Sequence, residues 1–181
     1  SNSEVTTSET STTGGSNETK SDIIQSSYSE KATEDFLGAF TEEFTMTNFE
    51  LTDVYMLFDD DISDLYDEMK AEIEDGGQPK QRTKAKIIGM IQKNHEDIGH
   101  VIYGKVYLGQ KEIDQSTGNT KIVSQVNGEV WNITERRPKL VSSVSPSVFA
   151  GLGSTLDVAR TNALKQSSES SSKTIINILS K

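Results

Sequence analysis

"HVIYGKVYLGQKEIDQSTGNTKIVSQVNGEVWNITERRPKLVSSVSPSVFAGLGSTLDVARTNALKQSSESSSKTIINILSK", residues 100–181, decides the fold. It opens with Val101-Ile102-Tyr103-Gly104-Lys105-Val106-Tyr107-Leu108, dense in the β-branched and aromatic side chains that suit a pleated, half-buried strand. Gln115-Ser116-Thr117-Gly118-Asn119 is turn chemistry, so the next strand, Lys121 to Ile133 with Trp131, is expected to pair antiparallel with the first. Glu135-Arg136-Arg137-Pro138 makes a second turn, and Leu140 to Phe149 a third strand with Pro146 at an edge or strand end. Gly151-Leu152-Gly153 reads as a corner needing positive φ. Ser154 then caps a helix, with Asp157 in its first turn. Leu156, Ala159, Ala163, Leu164, Ser167, Ser171, Ile175, Ile178 and Leu179 recur at helical spacing, and the small members Ala159, Ala163, Ser167, Ser170 and Ser171 predict a close approach to the sheet.

Working back from His100, Ala32, Phe36, Ala39, Phe40 and Phe44 share one face of a helix over Ser29 to Thr45. Met46 to Val54 alternates like a half-buried strand. Asp59-Asp60-Asp61 precede a second helix carrying Ile62, Leu65, Tyr66, Met69 and Ile73 and stopping at Asp75-Gly76-Gly77. A third helix follows Pro79, from the basic residues Lys80, Arg82, Lys84 and Lys86 through Ile87, Ile88 and Ile91 to Asn94, with a loop over His95 to Gly99. The expected fold class is α+β, a mainly antiparallel sheet with helices on one face, in the order α-β-α-α-β-β-β-α. It forms a single domain over residues 22–181 behind a polar segment over residues 1–21. That segment is Ser, Thr, Glu, Asn and Gly with a lone Val5, too little apolar surface to offset ordering, and reads as a disordered tether with a reach of roughly 25 Å. Its start has no methionine, basic run or apolar run, so it reads as a mature or trimmed chain.

Eighteen basic against 28 acidic residues leave a formal charge of −10, which argues against nucleic-acid partners and against attraction to anionic lipid. No run approaches the roughly 20 apolar residues a membrane span needs. The chain has no cysteine, so disulfides, thiolate metal sites and cysteine nucleophiles are excluded.

The helix ahead of His100-Val101-Ile102-Tyr103-Gly104-Lys105-Val106, the position Leu51-Thr52-Asp53 and the strand around Val130-Trp131-Asn132 together resemble a known group. It is the periplasmic α+β domain of curli-secretion and penicillin-binding-protein-activator lipoproteins, the amino-terminal domain of TolB and flagellar outer-membrane ring proteins. The resemblance covers roughly residues 31–181. Gly99-His100 stand where the group carries an alanine-aspartate pair, and the membrane-inserting strands of a curli-type pore are not seen. The resemblance implies a bacterial cell-envelope lipoprotein, periplasmic and anchored at the outer membrane through a lipid that this chain does not carry, acting by binding other proteins.

Candidate chemistry is sparse. Asp59-Asp60-Asp61 with Asp64 and Glu68 is the densest carboxylate cluster, but Asp64 and Lys70 stand where a calcium loop starting at Asp59 needs glycine and an acid. His95 and His100 are five apart, not the four of a helical metal pair, and Gly151-Leu152-Gly153 lacks the lysine of a phosphate-binding loop. No catalytic, cofactor-binding or metal residue is expected. Trp131 falls with Val123 and Ile133, opposite Ile122, Val126 and Val130, so both sheet faces are partly apolar. Trp131, Tyr103, Tyr107, Arg136 and Arg137 are therefore the candidate partner-binding residues. The expected function is non-enzymatic binding or scaffolding of other envelope proteins in secretion, flagellar or cell-wall machinery, with self-association into a homo-oligomer open. A monomeric activator of a peptidoglycan synthase, or a hydrolase whose site converges only in three dimensions, are the alternatives.

Overall fold

A computed structural model of the chain describes residues 23–24, 30–52, 54–57, 63–74 and 79–181. The expected segment over residues 1–21 and the trio Asp59-Asp60-Asp61 lie outside them. The described elements are β1 (Ile23–Ile24), α1 (Glu30–Thr45), α2 (Val54–Leu57), α3 (Ser63–Glu74), α4 (Gln81–Asn94), β2 (His100–Gly109), β3 (Glu112–Ile113), β4 (Thr120–Asn132), β5 (Lys139–Gly153) and α5 (Leu156–Leu179). The strands form one five-stranded sheet in the order β1-β2-β4-β3, with β5 also paired to β4. This is the α+β class that the patterning predicts, with four helices between the short β1 and the main strands and a long helix last.

The order differs in several elements: the short β1, α2 and β3 are not among those expected, and one expected strand is missing. Met46 to Val54 is not a strand: α1 ends at Thr45, and a short helix begins at Val54. The hydroxyls of Thr45 and Thr47 donate to the carbonyls of Glu42 and Phe44, both at 2.7 Å, and the Thr47 amide donates to Phe44 at 3.0 Å. These local bonds satisfy the helix end, and alternation alone cannot hold a strand where the backbone has a nearer acceptor. Met46 is left 71% exposed.

The described residues gather into two compact units. The first comprises the described residues up to Asn48 together with Gly104–Asn127 and Val144–Lys181. In it β1 pairs antiparallel with β2, Ile24 opposite Leu108, and β3 pairs antiparallel with β4, Ile113 opposite Thr120. The β3–β4 turn is fixed by Asp114, whose Oδ1 accepts from the amides of Ser116 and Thr117 at 3.1 and 2.8 Å and from the Thr117 hydroxyl at 2.8 Å. Gly118, at φ +71°, supplies the left-handed step, the single positive φ among the described residues.

The Gly151–Gly153 segment therefore does not turn through positive φ; it is the end of β5, and its glycines serve another purpose. A Cβ on Gly151 would lie 2.8 Å from the Cα of Ala163, and one on Gly153 2.5 Å from the amide of Ala159. Both are needed so that strand backbone can touch helix backbone. The cap of α5 is Thr155 rather than Ser154, its side chain accepting from the Val158 amide at 3.3 Å.

The small residues of α5 make this approach possible. Ala159, Ala163, Ser167, Ser168, Ser171, Ser172 and Ile175 are buried, whereas Ser170 is exposed. The buried sector is wider than one stripe because α5 meets two surfaces. Towards the sheet, the buried Ser124 hydroxyl of β4 donates to the Ala163 carbonyl at 3.0 Å. Towards α1, Ser168 donates to the Phe36 carbonyl at 2.6 Å, Thr161 to Asp35 at 3.2 Å, and Lys173 pairs with Glu43 at 3.4 Å, so α1 and α5 run in the same direction. Phe36, Phe40 and Phe44 stack in series along α1, with ring centroids 5.9 and 5.1 Å apart. Burying rings of this size contributes about 1.5–3 kcal/mol each.

The second unit comprises Phe49–Tyr103 and Gly128–Ser143. Its core is Ile87, Ile88 and Ile91 of α4 with Val101 and Ile133, joined by Leu57, Leu65, Met69, Tyr103 and Trp131 at its border. The α4 face arises from apolar residues at helical spacing. Its N-terminus lacks a side-chain cap of its own, and α3 provides one: Glu72 accepts from the Lys80 amide at 2.7 Å and from the Thr83 hydroxyl at 2.8 Å. The Lys80 amide first, with Thr83 and the Lys80 ammonium assisting, holds the Glu72 carboxyl below its ordinary value against the opposing effect of burial.

Candidate partner-binding site

Lys84, Ile87, Ile88 and Ile91 fall on one α4 face, so the helix that buries three isoleucines also buries a lysine. Its side chain is 7% exposed, and its Nζ lies 2.8 Å from Glu129 Oε2 on β4. The same oxygen accepts from Trp131 Nε1 at 2.9 Å. The Tyr103 hydroxyl donates to the Lys84 carbonyl at 3.2 Å, and the ammonium stands 5.9 Å from the centre of the Tyr103 ring. Burial alone would raise the Glu129 carboxyl, but the hydrogen bonds from Lys84 and Trp131 outweigh it and hold it ionised below the ordinary range. Burial, with the Glu129 charge adding, pushes the Tyr103 phenol far up and keeps it protonated.

Two of the candidates, Trp131 and Tyr103, are thus brought together, and both spend their polar atoms inside this cluster. Trp131 packs against the core that Ile87, Ile88 and Ile91 of α4 form with Val101 and Ile133. Tyr107 belongs to the first unit, where the Lys105 ammonium lies 4.6 Å from the centre of its ring. The alternation on β4 is as its sequence reads, with Ile122, Val126 and Val130 buried.

Arg136 and Arg137 sit on the turn between β4 and β5 and are exposed. Among the described residues neither has an ion pair. The turn that carries them is held from several directions. Gln92 of α4 donates its amide to the carbonyls of Ile133 and Glu135, at 2.9 and 2.8 Å. Asn132 Oδ1 accepts from the Thr134 amide at 3.0 Å and hydroxyl at 2.7 Å, and the Ile133 amide donates to Gly99 at 2.9 Å. Lys139 closes the turn on Glu135 at 2.8 Å. Two arginines are therefore presented on backbone that is already ordered. Immediately after them Leu140 is 49% and Val141 46% exposed. Adjacent strand residues point to opposite faces, so the start of β5 is open on both. The Arg136-Arg137 turn was legible as a basic spot; Gln92, which fixes it, was not, because its partners are more than forty residues away.

His95 Nε2 lies 2.9 Å from the Leu57 carbonyl, and His100 Nε2 lies 3.4 Å from Asn132 Nδ2. Among the described residues no three His, Asp or Glu side chains are grouped to hold a metal ion, and no helix is long and apolar enough to cross a membrane. In comparisons with known proteins, no family model, curated protein or solved structure matches the chain.

Proposed function

We propose that this chain is a non-enzymatic protein-binding domain of a bacterial cell-envelope assembly, periplasmic and lipid-anchored, that engages its partners through the β4–β5 turn and the start of β5. One observation carries the reading: a turn fixed by Gln92, Asn132 and the Glu135–Lys139 pair displays Arg136 and Arg137 beside the exposed Leu140 and Val141. Arginine next to apolar surface is favoured at protein interfaces, and backbone ordered in advance lowers the entropic cost of association. The formal charge of −10 disfavours nucleic acid as the partner. The envelope setting rests on the resemblance of the helix-then-strand stretch up to Val106, and of Val130-Trp131-Asn132, to lipoproteins with binding roles.

The test is retention of proteins from a detergent extract of bacterial envelopes. A chain carrying Arg136→Glu, Arg137→Glu and Leu140→Ser keeps the thermal midpoint of the unchanged chain but loses the proteins that the unchanged chain retains. Equal retention by both chains, or none by either, overturns the reading.

A further inference from the structure

We propose that Lys139–Ser143 takes up an extended segment of a partner protein as an added antiparallel strand, and that this segment carries carboxylates at its C-terminal end, where Arg136 and Arg137 stand. The inference rests on the proposed function and commits it to one partner chemistry. Among the described residues β5 pairs with β4 and with no strand along its second edge, and that edge is the one to receive a strand. Natural edges are guarded by charges, prolines or a covering element. From Leu140 to Ser143 the sequence is Leu-Val-Ser-Ser, with no charge and no proline. An added strand would set side chains beside Leu140 on one face and beside Val141 on the other, as cross-strand neighbours do. Both are about half exposed and have area left to bury.

The direction and the charge follow from the turn. An antiparallel strand beside β5 ends where β5 begins, so its last residues reach the turn. There Lys139 is committed to Glu135, and the two remaining cations are Arg136 and Arg137. Each guanidinium offers a planar fork that matches a carboxylate. The rest of the chain is acidic overall, so this spot is the natural place for an acidic segment to dock.

Three blocked peptides test this against the full chain labelled with nitrogen-15. All alternate valine and threonine; one ends in two glutamates, one ends in two lysines, and one begins with the two glutamates. The first is expected to shift the amides of Leu140 to Ser143 and to bind roughly tenfold more tightly than either other peptide, a preference that fades as salt rises. The chain with Arg136→Glu and Arg137→Glu is expected to lose the preference while keeping the unperturbed amide spectrum of the core. Equal affinity for the three peptides, shifts confined to other residues, or no shift with any of them overturns the inference. So does concentration-dependent dimerisation by light scattering that the two arginine substitutions abolish, since the occupant would then be a second copy. If envelope proteins are still retained through the turn while the peptides show no preference, the binding function stands and the acidic strand does not.

Discussion

Lys84 of α4 and Glu129 of β4, 45 residues apart in the chain, meet at 2.8 Å in a setting where the lysine is almost wholly out of water. Removing one member strands the other. Glu129→Leu leaves the ammonium without its partner and is expected to cost about 3–5 kcal/mol in urea unfolding, whereas the double change Lys84→Met, Glu129→Leu costs much less. A single substitution as mild as the double one would mean that solvent already screens the pair. Loss of the Glu129 acceptor also frees Trp131 Nε1, which its fluorescence would register.

Two serines one turn apart on α5 are expected to behave oppositely. Ser171 is 4% exposed, and among the described residues its hydroxyl has no hydrogen-bond partner. Ser171→Ala removes an unsatisfied buried group and adds a better helix former, so stability rises by about 0.5–1 kcal/mol. Ser168→Ala deletes the donor to the Phe36 carbonyl and lowers stability by about 1 kcal/mol. Thermal midpoints of the two variants on either side of the parent value would bear this out.

Gly151→Ala places a methyl against the backbone of Ala159 and Ala163, where no side chain can move aside. The expected loss exceeds 3 kcal/mol, or the first unit fails to assemble. Ala163→Leu, which overfills the same contact from the helix side, costs about 1–3 kcal/mol. If calorimetry finds both neutral, α5 is not seated on the strand end as described.

Acid acts on His100 and Asp114 at different pH. Burial lowers the His100 pKa, so as pH falls through 6.5 the unfolded chain takes up the proton first; stability is full above that value and declines below it. Asp114 is lowered to about 2 by bonds from the Ser116 and Thr117 hydroxyls and amides. Its contribution is complete above its ordinary value of 3.8 and fades as pH drops towards 2. A carbon-detected NMR titration should find the Asp114 carboxylate still ionised at pH 3, and His100→Gln should remove the first decline in urea midpoint while leaving the second.

Much of this fold is legible in the residues because α4, β4 and α5 each repeat one period over ten positions or more, and β2 concentrates β-branched and aromatic side chains. Met46 to Val54 misleads because alternation says nothing about whether a neighbouring strand exists, and the threonines at the α1 end offer nearer bonds. The glycines of β5 are legible as special, but a close approach and a left-handed turn ask for the same residue. Lys84 lies in a run of basic residues that looks solvated, and only its spacing from Ile87, Ile88 and Ile91 marks it as facing inward. The exposed pair Arg136 and Arg137 can be read from the turn, while the bonds from Gln92 that hold it depend on a fold no local pattern reports.

The shared packing of α1 and α5 also sets an order of events. The first unit draws on three separate stretches of chain, and α5 is made after everything it packs on. During synthesis Phe40 and Phe44, together with the sheet residues around Ser124, wait without cover until that helix leaves the ribosome. The second unit has all of its residues once Ser143 has emerged. A nascent chain therefore passes through a stage with one core able to close and the other still open, and that open core is the one a chaperone would meet.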